Sequence, residues 1–426
     1  MKNRIKNFKE LATDQYRKDA LEIVEAAYES IDTENVIRQN IVLENDSLLV
    51  QGNEYNLNDY NNIYIIGFGK VSCRAAVVLE DILGDRIKSG TVIGINDNNT
   101  CNIIETYKGT HPLPSGQNII ASEKLSEISM KATEKDLVLV IIGGGGSALL
   151  CSSEGECDQG IKLYEEFKHT GGSIKEINIL RKHISELKGG GLAKKLYPAT
   201  VIGLVFSDVP GDDCSVVASG PTYKDESTIE EAQNILDKYS MTKFDLTETP
   251  KDDRYFENVE NVLLVSNNTA LEAMENAAID KDYASFNIGS EIYLKQKKVA
   301  KLFKKSAKKG GVCVAGGETE LVVPKGCEGV GGRNDSMALM MMDYIKKNQV
   351  FISFASDGHD NSESAGCIID YNTKKEIKKR GLKIKDYKVC LDTYTLFSQN
   401  GNLLNTGLLE SNVSDLMLLL THKKNG

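Results

Sequence analysis

Residues 137–150 read LVLVIIGGGGSALL, an unbroken apolar, β-branched run that ends in four consecutive glycines. A run of that length without polar alternation fits a strand covered on both faces, the usual condition in parallel sheets. Glycine has no Cβ, so the backbone can turn sharply after the strand and bring its N–H groups close to a ligand. Ser147 is expected to cap the short helical pattern at 148–150. Unpaired N–H groups and the helix dipole at such a turn favour an anion, by about 0.3–1 kcal/mol when exposed and up to about 2 kcal/mol when partly buried. Gly143, Gly144, Gly145, Gly146 and Ser147 are therefore a candidate cradle for phosphate.

The flanking sequence repeats the alternation. Residues 62–66 (NIYII) predict a buried strand running into Gly67-Phe68-Gly69-Lys70, with a helix at 73–83; a strand follows at 91–95 and a helix at 122–131. After the glycines, helices are expected at 158–169 and 174–188, then a strand at 200–206 that delivers Ser207-Asp208 to a strand end. In the helix at 174–188, Ile177, Leu180, Ile184 and Leu187 make the apolar stripe, while Arg181, Ser185 and Lys188 share an adjoining face. Strand, helix, strand in regular order predicts a parallel α/β sheet whose ligands lie at the carboxyl ends of the strands. The apolar spacing at 12–31 predicts an N-terminal helix with one face on a sheet.

A chain of 426 residues exceeds what a single core usually supports, so two domains are expected. The polar, aperiodic stretch 241–258 is the natural connection, which gives domains at 1–245 and 255–426. The second is also α/β, with strands at 262–265, 313–315 and 350–355 and helices at 269–278 and 293–308. The net charge of −10 argues against nucleic acid or an anionic membrane as the main partner, and no run is long enough to span a bilayer. The nine cysteines are odd in number and include no C-x-x-C pair, which fits neither a disulfide framework nor a zinc site. With charges throughout the N-terminal stretch and no apolar signal core, a cytoplasmic location is expected.

Glycine turns that bring in Lys70, Arg181, Lys182, Lys188 and Arg333, with acids Asp208 and Asp357 after apolar strands, make a set suited to phosphoryl transfer. That chemistry needs cations and backbone amides around phosphates, a divalent metal, and a base near the attacking hydroxyl. Gly143, Gly145 and Ala148 satisfy G-x-G-x-x-A, yet no acid stands at the end of a second strand about 20 residues on to hold a ribose. No G-x-x-x-x-G-K-[ST] occurs either. His183 and His359 lack triad or metal-ligand spacing and read as structural.

Seven blocks carry a resemblance: GGGGSALL (143–150), EINILRKHISELKGGGLA (176–193), SDVPGDD (207–213), ASGPT (218–222), GGETE (316–320), GVGGRN (329–334) and SDGHD (356–360). Their order resembles the glycerate 2-kinase family, whose C-terminal region is the MOFRL type and whose members were once labelled hydroxypyruvate reductases. The resemblance implies a larger Rossmann-like parallel-sheet domain, a smaller α/β domain, a cleft between them, and ATP-dependent phosphorylation of the 2-hydroxyl of glycerate or a related sugar acid. It makes Lys70 and Arg333 the cations on the transferring phosphoryl. Asp208 is then the base or hydroxyl-orienting group, Arg181, Lys182, Ser185 and Lys188 form a basic wall for substrate, and Asp212 and Asp357 are the carboxylates for Mg2+. Glu318 and Asn334 join the glycine loop on the ATP side, and a homodimer is left open. The family's Gln-Glu after GGRN is Asp335-Ser336 here. An NAD(P)-dependent hydroxypyruvate reductase and an inactive sugar-acid-binding protein are the alternatives.

Overall fold

Six strands build the first sheet: β1 (Asn62–Phe68), β2 (Ile87–Gly94), β3 (Ile104–Lys108), β4 (Asp136–Gly143), β5 (Thr200–Phe206) and β6 (Val259–Val265); β1, β2, β4 and β5 are buried over most of their length, and the edge strands β3 and β6 only in part. The computed structural model describes residues 3–96, 100–209, 211, 213–308, 310–324 and 326–422. Asp212, expected as a metal ligand, lies outside the described residues. The strand order is β3-β2-β1-β4-β5-β6, and the pairings from β3 through β5 are parallel. This is the doubly wound dinucleotide-fold order, in which ligands collect where the strand order reverses, here between β1 and β4. Helices α1 (Ser72–Leu83), α2 (Gly116–Lys131), α3 (Gly146–Leu149), α4 (Glu154–Phe167) and α5 (Ile174–His183) connect or follow these strands. A small antiparallel sheet of Ile41–Glu44, Ser47–Val50 and Asn53–Asn56, unexpected from the sequence, completes this unit.

The second sheet is mixed. Its strands are β7 (Ala284–Asn287), β8 (Gly311–Gly316), β9 (Gln349–Ala355), β10 (Gly366–Asp370), β11 (Leu403–Leu404) and β12 (Asp415–Thr421), in the order β7-β8-β12-β9-β10-β11. The last strand inserts antiparallel between β8 and β9, and helix α6 (Arg333–Met341) packs against β9.

Two compact units result, and their boundaries differ from the expected ones. One comprises Thr33–Val209 and Asp213–Leu264; the other joins the chain up to Asp32 to the chain from Val265 onward. The N-terminal helix Gln15–Ser30 belongs to the second unit because its apolar face is spent there. Leu21, Ile23, Val24 and Ala27 are fully buried, Tyr28 Oη donates to Ala355 O at 3.1 Å, and Arg17 pairs with Asp370 at 3.1 Å. The stretch 241–258 does not connect the units either. Phe244 is buried in a cluster with Leu163, Phe167 and Leu180, and Thr247 N donates to His183 O at 2.7 Å, so the segment folds back onto the first unit.

Cys327 and Cys390 form a disulfide across 63 residues of sequence, against the expectation of no disulfide; the other seven cysteines are not disulfide-bonded. No helix among the described residues is long and apolar enough to cross a membrane.

Candidate active site

The site of the first unit is built where β1, β4 and β5 end side by side. Register pairs Phe68 with Ile142 and Gly143 with Phe206, so Gly69, Gly144 and Asp208 emerge together. Gly69 has φ +126° and a Cβ there would stand 2.6 Å from the Gly143 backbone, so only glycine fits. Lys70 N donates to Gly144 O at 2.9 Å, which locks the lysine turn to the glycine loop. A methyl group on Gly144 would overlap the Asp208 carboxylate, placing that acid directly on the loop.

Helix α3 starts two residues earlier than expected. Gly145, at φ +79°, is its N-cap, so Ser147 sits inside the first turn rather than capping it. Its hydroxyl is therefore available for another task, and it meets Ser219 Oγ at 2.9 Å. Ser219 Oγ donates to Asn178 Oδ1 at 3.3 Å, and the same oxygen accepts from Arg181 Nη1 at 3.4 Å. Ser147 and Arg181 line one small cavity with Pro112, Pro114, Tyr164 and Lys188.

The expected basic wall resolves into three different situations. Arg181 has no carboxylate partner among the described residues, and burial pulls its pKa below the ordinary arginine value. Lys188 lines the same cavity but is committed: its Nζ reaches Glu156 Oε1 at 2.5 Å and Leu150 O at 2.7 Å, and both side chains are buried. Burial alone would raise the Glu156 carboxyl; the Lys188 charge and its hydrogen bonds bring it below the ordinary carboxylate value. Lys182 points elsewhere, pairing with the buried Asp225 at 3.0 Å. Asp225 is in turn held by Ser227 and Thr249.

Ser185 and Lys188 also fail to share a helix face with Arg181, because α5 stops at His183. Ser185 Oγ accepts the N–H groups of Leu187 and Lys188, each at 3.2 Å, giving the backbone an alternative to another helical turn. Gly189 and Gly190 follow with φ of +55° and +87°. His183 is buried, with Nδ1 2.8 Å from Thr247 O, as suits a structural histidine.

One residue of this site has no counterpart in the sequence reading. His111 leans on the glycine loop, its Cδ2 3.2 Å and Nε2 3.4 Å from where a Cβ on Gly145 would be. Burial, then Lys70 and Arg181, push its pKa from 6.5 to about 4. Only His-Pro in a loop marked it, and that pair reports a turn rather than a site.

In the second unit, Arg333 opens α6. Its Nε meets Asp415 Oδ2 and its Nη2 meets Glu318 Oε1, both at 2.9 Å, and the side chain remains 40% exposed. Glu318 thus orients the arginine. Asn334, expected on the nucleotide side, is held by protein partners. It is buried, its amide nitrogen donates to Asp360 Oδ1 (3.1 Å) and Asp415 Oδ1 (2.9 Å), and its amide oxygen accepts from Ser353 Oγ (2.6 Å). Asp360, which the sequence did not single out, accepts the N–H groups of Asn334 and Asp335 at 3.0 and 2.9 Å, filling the N-terminus of α6. Asp357 caps its own turn through His359 N at 3.2 Å.

Comparisons with known proteins identify the family. The family described as "Domain of unknown function (DUF4147)" matches residues 19–249, and the MOFRL family matches residues 311–415. The glycerate 2-kinase of Pyrococcus horikoshii is 30% identical, over 96% of this chain and 98% of its own. The D-glycerate 2-kinase of Thermotoga maritima is 30% identical, over 95% of this chain and 98% of its own. A crystal structure of glycerate kinase from Thermotoga maritima superposes with a TM-score of 0.83 at 29% identity, covering 95% of this chain and 99% of that one. With both halves of the chain matched in order and full-length relatives at this identity, the chain belongs to the glycerate 2-kinase family.

Proposed function

We propose that the chain is an ATP-dependent kinase that phosphorylates the 2-hydroxyl of glycerate, giving 2-phosphoglycerate. The observation that supports it best is Arg181. A guanidinium taken largely out of water without a counter-charge is costly, and here it stands within electrostatic reach of His111, as does Lys70. Such a group is satisfied by an anion, and a planar carboxylate matches its fork of donors. Arg181 takes the glycerate carboxylate in this reading, which leaves the adjacent hydroxyl for the transfer.

Lys70, fixed to the glycine loop through its own N–H, supplies positive charge to the transferring phosphoryl. The first N–H groups of α3, which have no intrahelical partners, complete the cradle. Asp208, packed on Gly144, orients the hydroxyl and accepts its proton. Arg333, its plane set by Glu318 and Asp415, is assigned as the second cation on the strength of the family motif. ATP would supply the phosphoryl group, and a bound Mg2+ would supply charge screening for it. Among the described residues no group of three or more metal-binding side chains is present. In this reading Mg2+ would be carried mainly by the phosphates with one or two carboxylates, for which Asp212 and Asp357 are the candidates.

The competing reductase reading lacks a ribose-binding acid after the second strand. Purified protein should consume ATP when given glycerate and Mg2+, and should leave NADH and NADPH unoxidised with hydroxypyruvate. Nicotinamide oxidation without ATP consumption would overturn the kinase reading.

A further inference from the structure

The loop that carries His111 is built rather than draped. Asn118 on α2 is fully buried; its Oδ1 accepts Thr110 N at 2.9 Å, and its Nδ2 donates to Thr110 O and to Ala148 O, each at 3.0 Å. One amide thus ties this loop to α3, the helix that follows the glycines. Thr110 Oγ1 donates to Leu113 O at 2.8 Å, and Gly109 N donates to Gly94 O at 2.8 Å. A side chain on Gly109 would run into Ile93 and Leu149, each 2.7 Å away, so the loop is pressed onto the sheet.

All this order holds an imidazole that makes no hydrogen bond to any described residue. The ring lies against Gly145, partly covered and partly open to solvent, within electrostatic reach of Lys70 and Arg181. A protonated ring there would add a third positive charge, and the environment opposes it: with its pKa near 4 the imidazole is uncharged at neutral pH. Lys70 and Arg181 can only donate hydrogen bonds, whereas an uncharged imidazole donates from one nitrogen and accepts at the other. It is the kind of group that reads a hydroxyl beside an anion.

We propose that His111 contacts the acceptor substrate, hydrogen-bonding a hydroxyl of the hydroxy acid whose carboxylate Arg181 receives, and so determines specificity for a hydroxylated acid. This rests on the kinase reading above.

The test uses wild type, His111→Ala and His111→Gln, with two readouts. Steady-state kinetics give separate KM values for glycerate and ATP, and calorimetry gives the Kd for glycerate alone. His111→Ala should weaken glycerate binding about 10–100-fold in both KM and Kd, the usual consequence of removing a hydrogen-bond partner in a preorganised site. The KM for ATP should move less than about twofold and Tm should be unchanged; His111→Gln should recover part of the loss. A glycerate Kd within about twofold of wild type, an equal rise in the ATP KM, or a fall in Tm matching the fall in affinity would each overturn the proposal. A wild type that binds glycerate without phosphorylating it would instead overturn the kinase reading, and the Kd comparison would still decide His111.

Discussion

The role proposed for Arg181 in function is set against a cost to stability. Its guanidinium is largely removed from water, it has no carboxylate partner among the described residues, and its hydrogen bond to Asn178 is 3.4 Å long. Replacing such a group by an apolar side chain of similar length should stabilise the fold while removing the anion site. Arg181→Met is therefore expected to raise Tm and to lower kcat/KM for glycerate by about 10²–10³-fold, the scale typical of losing one preorganised donor. Calorimetric melting and steady-state kinetics on the same preparation check both halves; near-normal kcat/KM would remove Arg181 from the site. Lys188, two turns of sequence away and the same charge, has Glu156 at 2.5 Å and is structural. Sequence could not separate the two, because the difference lies in what a distant segment brings to each. Lys70, Gly144 and Asp208 were legible because each directly follows a buried strand, and parallel register alone makes them neighbours. His111 was not, since it reaches the loop only through the Asn118 tie.

At the level of elements, strand identity was legible and helix ends were not. The apolar runs at β1, β4, β5 and β9 have only one plausible fate, whereas α5 ends at His183 because Ser185 turns its hydroxyl onto the following backbone. The N-terminus of α6 carries a more consequential feature. Asp335 and Asp360 are both buried there, with Asp415 nearby. Burial, then the charge of Asp360, pushes the Asp335 carboxyl well above its ordinary value; burial and then Asp415 push Asp360 up to about 6. Cys367, Ser364, Asn334 and Arg333 also face this pair. Carboxyls with raised folded-state pKa values stabilise fully only below the unfolded value near 4, and that contribution is lost as pH rises through the folded value. Asp335→Asn, which keeps the shape and cannot ionise, should therefore match wild-type Tm near pH 4 and exceed it increasingly toward pH 8. Each kcal/mol gained should appear as roughly 2–4 °C. Melting curves across that range check the sign, and a difference that is constant or shrinks with pH would show that Asp335 is not buried as an acid.

For the molecule as a whole, the order β3-β2-β1-β4-β5-β6 and the mixed second sheet match an α/β chain with a Rossmann-like larger unit, as the alternation of strands and helices predicted. The boundaries were not readable, for a physical reason visible in the N-terminal helix. The periodicity of Ala20, Ile23, Val24 and Ala27 states that one face is buried, but nothing in it states against which sheet; Tyr28 and Arg17 answer that through Ala355 and Asp370, more than 300 residues away in sequence. The stretch 241–258 misled in the opposite way, since polar, aperiodic sequence can pack when a few residues such as Phe244 and Thr247 are well placed. The central claim joins the glycine loop, Lys70, Asp208 and Arg181 into a site that phosphorylates one particular hydroxyl. Phosphorus NMR of the product formed from Mg-ATP and glycerate reads that directly, because 2-phosphoglycerate and 3-phosphoglycerate give distinct resonances and proton couplings. The account predicts 2-phosphoglycerate formed in step with ADP; 3-phosphoglycerate as the product, or ADP released with inorganic phosphate alone, would contradict it.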